Sequence, residues 1–326
     1  MSNWLQRMGA LIGGRASVPP PSPPASVPAP MSPPPRAAVP VAPVAPVAQS
    51  AWRLPFFAWL VDAGPLLDTS LHNSERRLLA QIDAALASDT ARGGLLPRAP
   101  AVVPALLSGL RDDSQSAGTL AQRVARDPHL VAEVLRMANS AQARGAAAVL
   151  DITEAIHRLG TNGLRRAIAR VLLKPIFDGQ GESLSARCSA RLWMHSEAKA
   201  DACQHEAAAL GLDPFEGYLT GLMHNIGWTA LLRAIDRSGG APPTEFSAAF
   251  AQAIERRRES FFALLVLPWQ LSDALSALAV ELIDSDIDDV RSPLGQALRA
   301  ADEQASMEML QASDAFGSID LAKLAH

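Results

Sequence analysis

The sequence predicts an all-α protein, and three observations carry that expectation. Alanine and leucine dominate a chain of 326 residues that is 48% hydrophobic but only 5% aromatic, a balance that favours helix over sheet. Apolar residues recur at spacings of three and four, as at Leu219, Leu222, Met223 and Ile226, the period of a buried helix face. No segment of useful length alternates with the period of two that a half-buried strand needs.

Taken in order, residues 1–14 place Trp4, Leu5, Met8, Leu11 and Ile12 at helical spacing. They read as an amphipathic terminus that frays, with a docking helix for a partner or a membrane surface as the alternative. Residues 15–50 are almost entirely Pro, Ala, Val and Ser. Proline fixes φ and removes backbone donors, so this stretch is expected to be a disordered, extended linker. Its Pro-x-x-Pro spacings arise by chance in any such run, with an SH3-type ligand as the alternative.

Composition changes sharply at Trp52. Residues 51–94 form a helical lead-in, with an aromatic cluster (Trp52, Phe56, Phe57, Trp59) and a helix from Ser74 to Leu86 that buries Leu78, Leu79, Ile82 and Leu86.

Residues 95–182 then read as a helical bundle, with helices at Val102–Leu110 and Leu120–Ala125. Asp127 before Pro128 makes an N-cap with proline in the first turn. The helix it opens buries Leu130, Val134 and Leu135; another starts at Asp151 and stops at Gly160; a third runs from Leu164 and ends before Pro175.

Residues 183–316 form a second subdomain. Ser189–Ala209 is a long Ala-rich helix carrying His195, and Asp213-Pro214 caps the helix that carries His224. Within that helix Gly221 admits a close backbone neighbour and Gly227 supplies an end. Further helices span about 245–266, 268–282 and 292–312, and residues 317–326 are a tail.

A net charge of −4 and a pI near 6.0 exert no global pull toward nucleic acid or anionic membrane. The apolar run Phe261–Leu267 stops at Pro268, well short of the roughly 18–20 residues of a membrane span. Arg7 interrupts the apolar positions of the first residues, so no signal peptide is read there. Cys188 and Cys203 offer neither a disulfide framework nor a metal pair. The expectation is a cytoplasmic protein.

Several short motifs are more specific. Arg126-Asp127-Pro128-His129-Leu130, Val134-Leu135-Arg136-Met137-Ala138-Asn139-Ser140 and Ile156-His157-Arg158-Leu159-Gly160 resemble the first half of the HDOD family. Trp193-Met194-His195-Ser196 and Leu219-Thr220-Gly221-Leu222-Met223-His224-Asn225-Ile226-Gly227 resemble its second half, and the likeness runs from about Leu95 to about Ala305. The resemblance implies an all-helical fold, a bundle followed by a subdomain like that of HD phosphohydrolases. It also implies a role in bacterial signalling.

HD enzymes hold metal through a histidine, a His-Asp pair and a further aspartate. By this resemblance His195 and His224 stand at the matching places, but Asn225 replaces the aspartate of the pair. A carboxamide offers one neutral oxygen and cannot bridge two cations. No histidine lies between His224 and His326, and Asp273 and Asp284 sit in no ligand motif. His195, His224 and Asn225 are therefore expected to be vestigial site positions, the histidines hydrogen-bonded in the core, with no catalytic residue, no metal and no cofactor. The function expected is non-catalytic signal transduction through contacts with other signalling proteins in a second-messenger, motility or stress network.

Two alternatives stand beside it. One is a residual metal-dependent phosphohydrolase. The other is a nucleotide or nucleic-acid binder using Arg158, Arg165, Arg166, Arg170 and Lys174; clustered arginines hold phosphates well, but no aromatics interleave to stack bases, and the stripe reads first as a solvated helix face. Glu255-Arg256-Arg257-Arg258-Glu259 likewise reads as solvated, with local ion pairs. Cys203 reads as a small buried residue and not as a nucleophile.

Overall fold

A computed structural model describes residues 52–64, 66, 70–96, 104, 107, 110, 122, 124–140, 148–179, 181–239 and 245–313. The amphipathic terminus, the Pro-rich linker and the tail, together with most of the helices expected at Val102–Leu110 and Leu120–Ala125, lie outside the described residues. Among the described residues the elements are helices, with no strand.

In chain order they are α1 (Arg53–Val61), α2 (Asn73–Ala87), α3 (Asp89–Leu95), α4 (Pro128–Ser140), α5 (Ile152–Phe177), α6 (Leu184–Ala209), α7 (Pro214–His224), α8 (Ile226–Asp236), α9 (Ala248–Val266), α10 (Asp273–Leu282) and α11 (Pro293–Ala312). No helix among the described residues is long and apolar enough to cross a membrane.

Local chemistry sets most boundaries as expected. The Asp127 carboxylate accepts the N–H groups of His129 and Leu130 at the start of α4, and Asp213 accepts that of Phe215 at the start of α7. Gly160, at φ +63°, breaks α5 into two segments, a conformation glycine adopts without steric cost.

Two boundaries differ. Helix α5 passes through Pro175 to Phe177, because burial of Ile176 and Phe177 outweighs the hydrogen bond that proline forfeits. Helix α6 starts at Leu184 instead of Ser189, because Ser183 caps it and the Asp236 carboxylate receives the N–H groups of Leu184 and Ser185.

Helices α6 and α7 pack backbone to backbone. A Cβ at position 221 would lie 2.7 Å from the carbonyl oxygen of Lys199 and 2.8 Å from the Ala200 Cα. Gly221→Ala should cost about 1–3 kcal/mol, the range for overpacking a rigid core, read as a lower denaturation midpoint at unchanged slope. Gly227 does not end a helix. It lies in the first turn of α8, where a Cβ would meet the Arg258 carbonyl oxygen at 2.2 Å; its role is to let α9 approach.

The lead-in is built into this body. Glu75 of α2 receives the His72 N–H at 2.8 Å, the Ser247 N–H at 2.7 Å and the Ser247 hydroxyl at 2.9 Å, while Ser247 caps α9. Burial alone would raise the Glu75 pKa, but these hydrogen bonds hold it below the ordinary value. One carboxylate thus joins two helix starts. Glu75→Ala should cost about 2 kcal/mol, since it strands the buried Ser247 N–H; thermal denaturation measures it. Arg233 does the converse for helix ends, donating to the carbonyls of Leu95, Ile176 and Asp178 at 3.0, 3.0 and 2.8 Å.

Candidate functional site

The chemistry-bearing residues converge in the core between α6, α7, α9 and α11. On α6, Leu192, His195, Ser196, Lys199 and Cys203 recur at helical spacing and are all buried. His224 ends α7 and Asn225 joins it to α8. Glu255, Arg258 and Glu259 face inward from α9, and Asp302 and Ser306 from α11.

At the centre lies the ammonium of Lys199, with 0% of its residue surface exposed. It is 3.0 Å from His224 Nδ1, 2.8 Å from Asn225 Oδ1 and 2.5 Å from Asp302 Oδ1. An ammonium carries three N–H donors and no acceptor, and three acceptors surround this one.

The histidine protons follow from these contacts. His224 Nδ1 faces Lys199 and must accept, so Nε2 carries the hydrogen and donates to Glu259 Oε2 at 2.7 Å. The Asn225 amide nitrogen lies 2.9 Å from Ser196 Oγ, 3.2 Å from the Leu192 carbonyl and 3.1 Å from His195 Nδ1. His195 Nε2 faces Ser306 Oγ at 3.1 Å. Asn225 therefore works in two directions, accepting from Lys199 with its oxygen and donating toward α6 with its nitrogen.

A second cation completes the cluster. Arg258 reaches Asp302 at 2.9 Å, Glu255 at 2.9 Å and Glu259 at 3.1 Å, and its guanidinium stacks over the Trp228 ring at 5.3 Å. Burial lowers the pKa of both His195 and His224, which keeps the imidazoles neutral. Burial alone would raise Asp302, but Lys199 and Arg258 hold it well below the carboxylate range. Burial raises Glu255 to about 7.

That last shift has a sign. Between the unfolded value near 4.5 and about 7 the native state binds the extra proton, so Glu255 takes stability away as pH rises through this window. Glu255→Gln removes the titration. The variant should gain on the wild type by roughly 1–3 kcal/mol between pH 5 and pH 8, in paired denaturation curves at the two pH values.

Helix α1 closes one side. The Phe56 ring lies 4.4 Å from the His195 ring, Phe57 stacks on Trp228, and Arg53 pairs with Asp286 and Asp288 at 2.7 and 2.9 Å.

A metal does not fit this set of donors. The lone pair of His224 Nδ1, the Asn225 oxygen and Asp302 all point at an ammonium, and that charge repels a second cation. Glu259 engages the other nitrogen of His224. Among the described residues no group of three or more His, Cys, Asp or Glu is arranged to hold a metal ion.

The structure thus brings His195, His224 and Asn225 together and adds Lys199, Arg258, Glu259, Asp302 and Ser306, which the motifs did not single out. Two expectations of solvated charge are corrected. Glu255, Arg258 and Glu259 are buried because positions 255, 258 and 259 share a phase with Phe262; only Arg256 and Arg257 of that run turn away. Arg165 and Arg170 are buried as well, and the basic stripe of α5 packs on aromatics: Arg165 over Phe215, Arg166 over Tyr218, Arg170 and Lys174 over Trp193. Arg158 pairs instead with Glu154. Cys188 and Cys203 are buried, and burial pushes each thiol up to about 12, which leaves them inert at neutral pH.

Comparison with known proteins agrees with this architecture. A structure of an HDOD domain protein of unknown function from Geobacter sulfurreducens is similar at 23% identity with a TM-score of 0.51, covering 73% of this chain and 80% of that one. A structure from Shewanella amazonensis SB2B, named as a candidate metal-dependent phosphohydrolase, is similar at 18% identity with a TM-score of 0.51, covering 76% of this chain and 95% of that one. At these identities the likeness is one of fold. No curated protein matches the chain. The family model of the HDOD domain matches residues 96–279, more than half of the sequence, and the chain belongs to the HDOD family.

Proposed function

We propose that this protein is a non-catalytic signal-transduction module that acts through contacts with other signalling proteins in a bacterial regulatory network. One observation carries the reading. The Lys199 ammonium stands among His195, His224, Asn225 and Asp302, where a phosphohydrolase of the related HD type would need an exchangeable cation. Metal-assisted hydrolysis requires an open coordination position for water or substrate. A covalently tethered ammonium offers none and does not exchange.

The core cluster then has a structural role, holding α6, α7, α9 and α11 in one arrangement, and the output lies on the surface of the helical body. Residues 1–50 would extend its reach to a second attachment point.

The test is an assay of the purified full chain on phosphomonoesters and phosphodiesters with Mg2+, Mn2+, Zn2+ or Fe2+ added in turn. No turnover above the protein-free rate is expected. Metal-dependent turnover that disappears in His224→Ala would refute the proposal and favour a residual phosphohydrolase.

A further inference from the structure

A cleft of about 630 Å3 opens between α4, α5, α6 and α7, away from the Lys199 cluster. Its size falls in the range of small-molecule sites, about 300–1,000 Å3. Arg136, Arg166 and Arg170 line it against Glu197 and Asp201, with Met137 and Leu159 supplying apolar wall.

The three guanidiniums are not equivalent. Arg170 is nearly buried, held between Glu133 and Glu197 and stacked on Trp193. Arg136 is half-exposed and shares Glu133 with it. Arg166 reaches Asp201 only at 3.5 Å, and that carboxylate is 59% exposed; such a pair is weak and screened. Its remaining hydrogen bond to a side chain is to the neutral amide of Gln204 at 3.3 Å. Arg166 is therefore the least compensated charge in the cleft.

A second feature points the same way. Tyr218 is 1% exposed and lines the cleft. The Nε of Arg166 lacks a hydrogen-bond partner, and the Tyr218 hydroxyl has the Arg170 guanidinium beside it, a group that only donates, so the phenol's own hydrogen has no acceptor among the described residues. A buried donor left without an acceptor costs about 1–3 kcal/mol. Burial pushes the Tyr218 phenol up to about 12, which keeps it a donor at neutral pH.

A weakly compensated guanidinium and a phenol hydrogen without an acceptor, lining one cavity, are a set of donors for an oxyanion. We propose that this cleft binds a small phosphoryl-bearing molecule, its oxygens received by Arg166, Arg136 and Tyr218. Of the face expected to bind nucleotide, the site keeps Arg166 as a ligand and adds Arg136 and Tyr218. Binding would bridge α4 and α5 to α6 and α7, which gives a signalling module a place to sense a soluble ligand. The proposal does not depend on the core cluster being non-catalytic.

Inorganic pyrophosphate is the probe, titrated into the full chain by calorimetry at low and high NaCl. Saturable binding that weakens with salt is expected. Arg166→Ala should weaken it at least tenfold. Tyr218→Phe, which removes one oxygen and leaves the buried ring, should weaken it several-fold with the melting temperature retained. Glu255→Gln, in the core cluster, should leave it unchanged. Absence of saturable binding at millimolar pyrophosphate, or wild-type affinity in both Arg166→Ala and Tyr218→Phe, would overturn the proposal. Should Arg166→Ala fail to fold, Tyr218→Phe alone decides.

Discussion

Lys199→Met is expected to lose about 3–5 kcal/mol of stability, a large share of what a domain of this kind possesses. The lysine is 0% exposed, and its ammonium faces Asp302 at 2.5 Å. Methionine retains most of the side-chain volume, so the loss does not come from a cavity. It comes from stranding buried acceptors. Asp302 keeps Arg258 at 2.9 Å but loses its other cation, and His224 Nδ1 and Asn225 Oδ1 lose their donor. The Asp302 pKa, held below the usual range by Lys199 and Arg258, should rise. Its native-state stabilisation is present above the unfolded value and lost as pH falls through the folded one, so the variant should start to lose stability at a higher pH than the wild type on acidification. Urea denaturation at pH 7 and at successively lower pH measures both effects. A loss below 1 kcal/mol would mean that the ammonium is not compensating buried charge.

Lys199→Ala combined with Asn225→Asp is expected to convert the cluster into a metal-binding one. The first substitution removes the tethered cation; the second places a carboxylate beside His224. His195, His224, residue 225 and Asp302 then offer two imidazoles and two carboxylates, a donor set suited to Mn2+, Fe2+ or Zn2+. Without metal the variant should be less stable than either parent, because Asp302 would keep only Arg258, already shared with Glu255 and Glu259, and the new carboxylate at position 225 would be buried beside it without the Lys199 ammonium. With metal at about a thousand times its dissociation constant, linkage should return about 4 kcal/mol. A melting temperature that rises with added Mn2+ in the double variant, and not in the wild type, is the expected readout. Equal responses in both proteins would show that the Lys199 ammonium does not exclude a metal ion.

The fold and part of the cluster were legible in the sequence, for identifiable reasons. Capping residues such as Asp127 and Asp213 act within one turn, so the sequence displays them directly. His224-Asn225 and His195 belong to short motifs whose order survives in the chain. Lys199 was hidden because charged residues on an Ala-rich helix are ordinarily solvated, yet it follows His195 by four positions and so shares its face. Helical phase decides burial on α9 too. The run from Glu255 to Glu259 looks solvated by composition, while positions 255, 258, 259 and 262 form one buried row. Asp302 comes more than a hundred residues after His195, and only the tertiary packing of α11 on α6 brings the two together. Gly227 shows the same limit at the backbone level, since a close approach by α9 cannot be told from a helix end without knowing what packs there.

The most direct measurement is the metal content of the purified, untagged chain, by elemental analysis after dialysis against a weak chelator. With the Lys199 ammonium held by His224, Asn225 and Asp302, far less than one equivalent of manganese, iron or zinc is expected, with His224→Ala no different. Near-stoichiometric metal in the wild type, lost in His224→Ala, would contradict it.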